Sequence, residues 1–314
     1  MIELKDIQEA RERIGHFVKR TPVISSGTLS GKTGNDLFLK GEHLQKTGSF
    51  KIRGAANLVI KAANDHIKHV LAASSGNHGQ AVAYIANVLG IRSTIVVPKD
   101  IARCKEAAIR AYNGQLEYCG TTSDERIDRA KAICEESGAT FIPPYDHPHI
   151  MAGQGTAGLE ILEQLDNIDE VYVPIGGGGL ISGVAPAVKE SNPKVRIIGA
   201  EPAIAADTYQ SFKEGKRINI GATTTIADGL RTSIPGELTF PIVRRYVDDI
   251  VLIEEEEIKE AFTSVFTFMK QVIEPSAAVA VAGAMKRNAE GKRIVALVSG
   301  GNVDPSIISS LFTQ

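Results

Sequence analysis

Short apolar runs with strand character alternate with helical stretches along nearly the whole chain, and several of the runs end in glycine-rich loops. No other feature restricts the fold as strongly. Short strands joined by helices are expected to lie parallel, because a parallel pair needs a crossover connection and a helix supplies it. An amphipathic helix over 7–18 precedes a strand over 36–40. The next helix begins at Lys51, with Ile52, Ala55, Ala56, Val59 and Ile60 on its apolar face. A compact series follows, with strands at 69–73, 93–97, 115–119 and 140–142 and helices at 77–89, 102–112 and 123–137. After Pro143-Pro144 come a helix at 156–165, strands at 170–174, 195–201 and 250–253, and helices at 180–190, 255–272 and 276–288. A last strand spans 293–298. Two doubly wound α/β units with a ligand crevice between them account for this order most simply. A single (β/α)8 barrel is the competing arrangement.

Three loops sit where a crevice-binding α/β enzyme places its ligands, at the carboxyl ends of strands. Gly176, Gly177, Gly178 and Gly179 follow the strand EVYVPI and precede a helix. Four glycines let backbone N–H groups turn inward at a helix N-terminus, which makes an anion cradle suited to a phosphate. The run lacks the Gly-Lys-Ser/Thr ending of a Walker loop. It also fails the dinucleotide spacing, since the position five residues after Gly176 is Ile181 and that after Gly177 is Ser182. A monophosphate is the expected anion. SSGNHGQ, from Ser74 to Gln80, offers hydroxyl and amide groups to a carboxylate or ring hydroxyl. His78 within it reads more readily as a hydrogen-bonded structural histidine than as an acid–base group. SGGN at Ser299–Asn302 closes the last strand.

Lys51 lies in KTGSFKIRGA, beside Phe50, at a loop-to-helix junction. A lysine packed against an aromatic there loses hydration, its pKa falls, and its amine becomes a usable nucleophile. A nucleophilic lysine together with a phosphate cradle points to pyridoxal phosphate, which needs both.

Composition excludes several other classes. The 314 residues are 43% hydrophobic and 23% charged with a formal net charge of -2, so no basic excess points to nucleic acid. No apolar run reaches the roughly 18 residues of a membrane span. The N-terminus lacks the apolar core of a signal peptide. Cys104, Cys119 and Cys134 have no metal-ligand spacing and are expected to be reduced packing residues of a cytoplasmic protein.

On KTGSFKIRGA, SSGNHGQ, AGQGT (152–156), PIGGGGL, ADG (227–229) and LVSGGN, in this order, the chain resembles the fold-type II pyridoxal-phosphate enzymes of the threonine dehydratase and serine racemase family. The resemblance runs nearly end to end. It implies a tryptophan-synthase-β-like architecture, with 1–63 and 148–314 forming a large cofactor-binding domain and 64–147 a small one. It also implies that Lys51 carries the cofactor as a Schiff base, that Phe50 packs near the ring and that Asn77 meets the ring hydroxyl. Gly176–Gly179 would hold the phosphate and Ser299 the pyridine nitrogen. A neutral hydroxyl there does not hold the ring protonated, which suits loss of a β-hydroxyl after Cα deprotonation by Lys51. Serine and threonine are the implied substrates, with Ser74, Ser75, Asn77, His78 and Arg126 on the substrate side.

Several positions bear on racemisation. Ser75 stands where racemase-like members carry serine and many catabolic dehydratases carry alanine, and it would be the second acid–base group opposite Lys51. EPAIAAD resembles the racemase-like metal site, with Glu201, the Ala205 carbonyl and Asp207 as oxygen ligands for Mg2+ (or Ca2+ or Mn2+). Lys46, Gln80, Tyr112, Lys270 and Asn302 match positions lining a nucleotide site in animal serine racemases, so a nucleotide effector is also implied. Tyr145 departs from the asparagine of some animal racemases and agrees with the aromatics usual in dehydratases. A homodimer is implied, and no regulatory domain with isoleucine feedback is expected after SGGN. Dehydration of 3-hydroxyaspartate and a non-catalytic amino-acid or cofactor sensor remain as alternatives, the second disfavoured by Lys51 itself.

Overall fold

In the computed structural model the strands sort into two open sheets rather than one closed barrel. Residues 1–101, 103–120, 123–287 and 290–312 are described, without the side chains at 104, 123 and 124. The expectation for Cys104 and the ends of the helices read at 102 and 288 therefore lie outside the described residues.

The strands are β1 (Val23–Ser25), β2 (Asp36–Gly41), β3 (His69–Ala73), β4 (Arg92–Val97), β5 (Gln115–Tyr118), β6 (Thr140–Phe141), β7 (Glu170–Pro174), β8 (Arg196–Pro202), β9 (Asp249–Ile253) and β10 (Arg293–Val298). A six-stranded sheet runs β1-β2-β10-β7-β8-β9 and a four-stranded sheet runs β5-β4-β3-β6. Neighbours are parallel throughout except for β1, a three-residue strand antiparallel to β2 and absent from the sequence reading. Strands β7 and β10 are almost wholly buried, which is why they read as continuous apolar runs without alternation.

The helix Lys51–Asn64 stands between the two bodies. Ile52, Ala55, Ala56 and Val59 pack into one core with Val70 and Ala72 of β3 and Ile95 of β4. Its other side meets the helix Pro148–Gln164 at unusually short range. A Cβ added to Gly153 would lie 2.5 Å from the Arg53 carbonyl oxygen, and one on Gly54 would lie 2.7 Å from that of Ile150. This contact corrects the sequence reading, which began that helix at residue 156. The glycines of AGQGT lower helix propensity but allow two helix backbones to touch, and Pro148 opens the helix at its first turn.

Beneath Lys51 the same helix is anchored by a buried ionic quartet. Arg53 donates from Nε and Nη2 to the two oxygens of Glu42, both at 2.8 Å, and from Nη1 and Nη2 to those of Glu160 at 2.7 and 2.9 Å. Lys40 completes it at 2.6 Å from Glu160 and also donates to the Thr21 carbonyl and to Gln164. Burial pushes the Glu42 carboxyl up, but the charge and hydrogen bonds of Arg53, with Lys40 and Thr21, together hold it below the usual range.

One other boundary moved. The helix expected over 255–272 is α-helical only over Glu255–Ser264, continues as a π turn at Val265–Met269, and stops where Lys270 adopts a left-handed φ of 57°. The segment EPAIAAD ends β8 with Glu201 and Pro202, makes a short turn at Ala203–Ala205 and opens the helix Asp207–Glu214.

Candidate active site

The three glycine-bearing loops converge as expected, at the carboxyl ends of β3, β7 and β10, around a cleft of about 300 Å³. Lys51 enters it from the first turn of its helix. Its Nζ donates to the Pro144 carbonyl oxygen at 2.8 Å and lies 5.2 Å from the centre of the Phe50 ring. Burial draws the Lys51 ammonium down to about 8, against the opposing pull of the Glu274 carboxylate. The loop before Lys51 is itself fixed on the third glycine loop. Ser49 bridges Gly300, and the Phe50 N–H donates to the Ser299 carbonyl oxygen at 3.0 Å.

The tetraglycine has no room for side chains. A Cβ on Gly177 would lie 2.5 Å from the Tyr145 ring, and one on Gly179 2.6 Å from the Tyr145 Cβ. Gly178 has a φ of 86°, a backbone that glycine adopts without strain. Tyr145 thus packs against the cradle within the cleft while Pro144, next to it, receives the Lys51 amine. Asp146 anchors this strip by accepting from the backbone N–H groups of Glu237, Leu238 and Thr239 at 2.8–3.1 Å. A cradle closed to any Cβ, with a desolvated amine in the same cleft, fits a phosphorylated aldehyde cofactor.

Ser74, Ser75 and Asn77 line the cleft from the loop that follows β3 and opens the helix Asn77–Val88. His78 also borders it, but its Nε2 is committed to the Ile142 carbonyl oxygen at 2.8 Å. Burial and the Lys51 charge hold the imidazole down at about 3, which keeps it neutral. Arg126 reaches the cleft wall from the helix Ser123–Ser137, joined by Lys105. Among the expected nucleotide residues, Gln80 and Asn302 line the same cleft. Lys46 donates to the His16 carbonyl, Lys270 to the Thr267 carbonyl, and Tyr112 packs edge-on against Tyr84.

Glu274 is the residue that sequence reading missed. It lies just before the helix Pro275–Met285 in the cleft wall, and its two carboxylate oxygens accept from the Asn77 amide. Burial pushes it up to about 7. A single glutamate before a proline carries no local signal of this. Thr232 and Ser276 also line the cleft and were likewise unmarked, beside Asp228 of the ADG motif.

Glu201 and Asp207 are both fully buried. Glu201 accepts from the backbone N–H groups of Thr208 and Tyr209 at 3.0 and 2.7 Å. Burial, and then the Asp207 charge, hold Glu201 well above the carboxylate range, and burial lifts Asp207 to about 7. Among the described residues no third acid, histidine or cysteine joins them. Two buried carboxylates with no cationic side chain fit a hard cation completed by carbonyl and water oxygens.

A family model described as "Pyridoxal-phosphate dependent enzyme" matches residues 14–300. The chain belongs to this pyridoxal-phosphate-dependent family. Within it, the chain is 42% identical over its full length to an L-threonine ammonia-lyase of Thermotoga maritima, covering 79% of that protein. It is 40% identical to an L-threo-3-hydroxyaspartate ammonia-lyase of Saccharomyces cerevisiae, with 98% of this chain and 95% of the other aligned. The solved structure of maize serine racemase superposes with a TM-score of 0.94 at 41% identity, covering 98% of this chain and 96% of that one. The two-sheet α/β architecture expected from the motifs is therefore that of its pyridoxal-phosphate relatives, and no helix among the described residues is long and apolar enough to cross a membrane.

Proposed function

We propose that this pyridoxal-phosphate-dependent enzyme is an ammonia-lyase for L-serine and L-threonine, giving pyruvate or 2-oxobutyrate and ammonia, and that it also racemises serine. The observation that carries this reading is the Lys51 amine, held at about 8 in a cleft shared with the glycine cradle and with Ser75. Lys51 would carry the cofactor, Gly176–Gly179 its phosphate, Asn77 the ring hydroxyl and Ser299 the ring nitrogen, with Phe50 beside the ring. Bound there, pyridoxal phosphate supplies a conjugated system that takes up negative charge from Cα.

The rest is work for the chain's own groups. The N-terminus of the helix Asn77–Val88, with Ser74 and Asn77, receives the substrate carboxylate. A free Lys51 amine removes the Cα proton, and a pKa near the working pH suits that role. In dehydration the β-hydroxyl then takes up a proton and leaves as water toward the phosphate end of the cleft. In racemisation the β-hydroxyl stays, and Ser75 instead gives a proton to Cα from the second side while Lys51 keeps the one it removed. Glu201, Asp207 and the Ala205 carbonyl hold Mg2+ (or Ca2+ or Mn2+). Residues 64–147 form the small domain and 1–63 with 148–314 the large one. The four-stranded sheet lies wholly in the first segment and the six-stranded sheet wholly in the others, which supports that division.

A second substrate reading rests on Lys105 and Arg126, two cations in the cleft wall that suit the additional carboxylate of 3-hydroxyaspartate. The visible spectrum of the purified protein and 2-oxo acid release from serine, threonine and 3-hydroxyaspartate separate these readings. A Lys51→Ala protein that kept the cofactor absorbance and turned over any of the three would sink the reading altogether.

A further inference from the structure

The proposed cation site and the catalytic cleft share one side chain. Thr232 lines the cleft, and its Oγ1 lies 3.1 Å from Asp207 Oδ1 and 3.4 Å from Oδ2, so the hydroxyl donates to that buried carboxylate. Residues 228–232 run from there as a strap across the cradle. Thr232 N–H donates to the Leu230 carbonyl oxygen, and Gly229 N–H donates to Ser276 Oγ at 2.9 Å. Leu230 and Gly229 then lie on the first glycine of the tetraglycine. A Cβ on Gly176 would be 3.1 Å from Leu230 Cα and 3.3 Å from the Gly229 carbonyl oxygen. The strap is already fixed upstream, because Arg231 Nε donates to the Thr225 carbonyl and Thr225 Oγ1 donates to Glu255, at 2.7 and 2.6 Å. The Thr232 end is the one whose anchor depends on Asp207.

We infer that Thr232 is a positioning residue that couples a divalent cation at Glu201 and Asp207 to cofactor binding at Gly176. The inference rests on the cation reading proposed above. Without a cation the Asp207 carboxylate oxygens meet the Thr232 hydroxyl at 3.1 and 3.4 Å. A cation bonded to Glu201 and Asp207 adds a second hold that fixes the Asp207 side chain. The Thr232 hydroxyl then has a rigid partner, and the strap is set against the first glycine of the cradle. Linkage makes the effect reciprocal: the factor by which the cation tightens pyridoxal phosphate is the factor by which pyridoxal phosphate tightens the cation.

The test uses the full chain, with and without pyridoxal phosphate, and with Mn2+ as the spectroscopic probe. Mn2+ affinity is read by electron paramagnetic resonance and cofactor affinity by absorbance titration in EDTA or in saturating Mn2+. In the native protein each ligand should tighten the other by the same factor, about five-fold or more. In Thr232→Val the factor should fall toward one, while each ligand alone binds within about two-fold of the native protein. Thr232→Ser, which keeps the hydroxyl, should restore it and also guards against a Val variant that folds poorly. A native factor of one, or a factor unchanged in Thr232→Val, overturns the coupling while leaving the cation site standing. Mn2+ binding that is absent, or that survives Asp207→Ala, overturns the cation reading and the coupling with it.

Discussion

Asn77 gives both oxygens of Glu274 the same amide nitrogen, at 2.9 and 3.1 Å, and so ties the loop after β3 to the helix Pro275–Met285. Asn77 Oδ1 in turn accepts from Asn302 Nδ2 at 2.7 Å, and the Glu274 N–H donates to the Gly300 carbonyl at 3.0 Å. One buried acid thus sits at the meeting point of two of the three glycine loops. Its charge is also felt by Lys51, which it helps to keep protonated.

Glu274→Gln should therefore lower the titration of Lys51 below its native value of about 8, since it removes the opposing negative charge and leaves burial in place. Competitive acylation of the cofactor-free chain, read by mass spectrometry across pH, measures this amine directly. A Lys51 titration that stayed put or rose would show that Glu274 acts only through Asn77.

Ser75 and Lys51 are expected to divide the proton transfers. Ser75→Ala should reduce D-serine formation from L-serine by roughly a hundred-fold or more, the worth of a positioned acid–base group, while L-serine dehydration stays within about ten-fold. Chiral chromatography and 2-oxo acid release on one protein preparation give both numbers. Equal loss of the two activities counts against a two-base arrangement.

Gly177→Ala tests the cradle. The new methyl would lie 2.5 Å from the Tyr145 ring, and such overpacking costs about 1–3 kcal/mol. Because Tyr145 is also joined to Pro144, the strain should appear as cofactor affinity weakened about 5- to 150-fold. Gly27→Ala, whose methyl meets nothing within 4 Å, is the control and should bind the cofactor normally. Equal affinities in the two variants would mean that Tyr145 can move aside freely.

The buried quartet predicts a stability effect away from the chemistry. Arg53→Met leaves Glu42 and Glu160 without their principal cation in a dry interior, and losing one partner of such a network costs about 3–5 kcal/mol. Urea unfolding should show that loss. A change below about 1 kcal/mol would mean that the two acids take up protons or water at little cost.

What the sequence revealed, and what it hid, follows from the range of the interactions. That Lys51, the tetraglycine and Ser299 share one cleft was legible because each stands in a local motif at a loop or strand end. The two-sheet architecture was legible because parallel strands buried on both faces leave apolar runs bounded by turns. The early turns of the helix Pro148–Gln164 were hidden, since its glycines answer to a neighbouring helix and not to local propensity. Glu274 and Thr232 were hidden for a related reason. Their partners, Asn77 and Asp207, stand far away in sequence, and neither residue type is unusual where it occurs.

The pH dependence of stability brings the hidden acids into one measurement. Burial first of all raises Glu201, Asp207 and Glu274, the last two to about 7. In the unfolded chain these groups lose their protons near the ordinary values of 3.8 for Asp and 4.5 for Glu. Between those values and about 7 the folded chain holds more protons than the unfolded one, so stability falls as pH rises through this window. A divalent cation takes the place of the protons on Glu201 and Asp207, but not on Glu274. Mg2+ should therefore raise the melting temperature clearly at pH 8 and hardly at pH 5, and EDTA should abolish the difference. In Asp207→Ala the Mg2+ response should vanish, while the part of the pH dependence due to Glu274 persists and disappears only in Glu274→Gln. Thermal melts of the three proteins at both pH values decide the matter. A Mg2+ shift of equal size at pH 5 and pH 8 would mean that the cation does not compete with protons for these buried carboxylates.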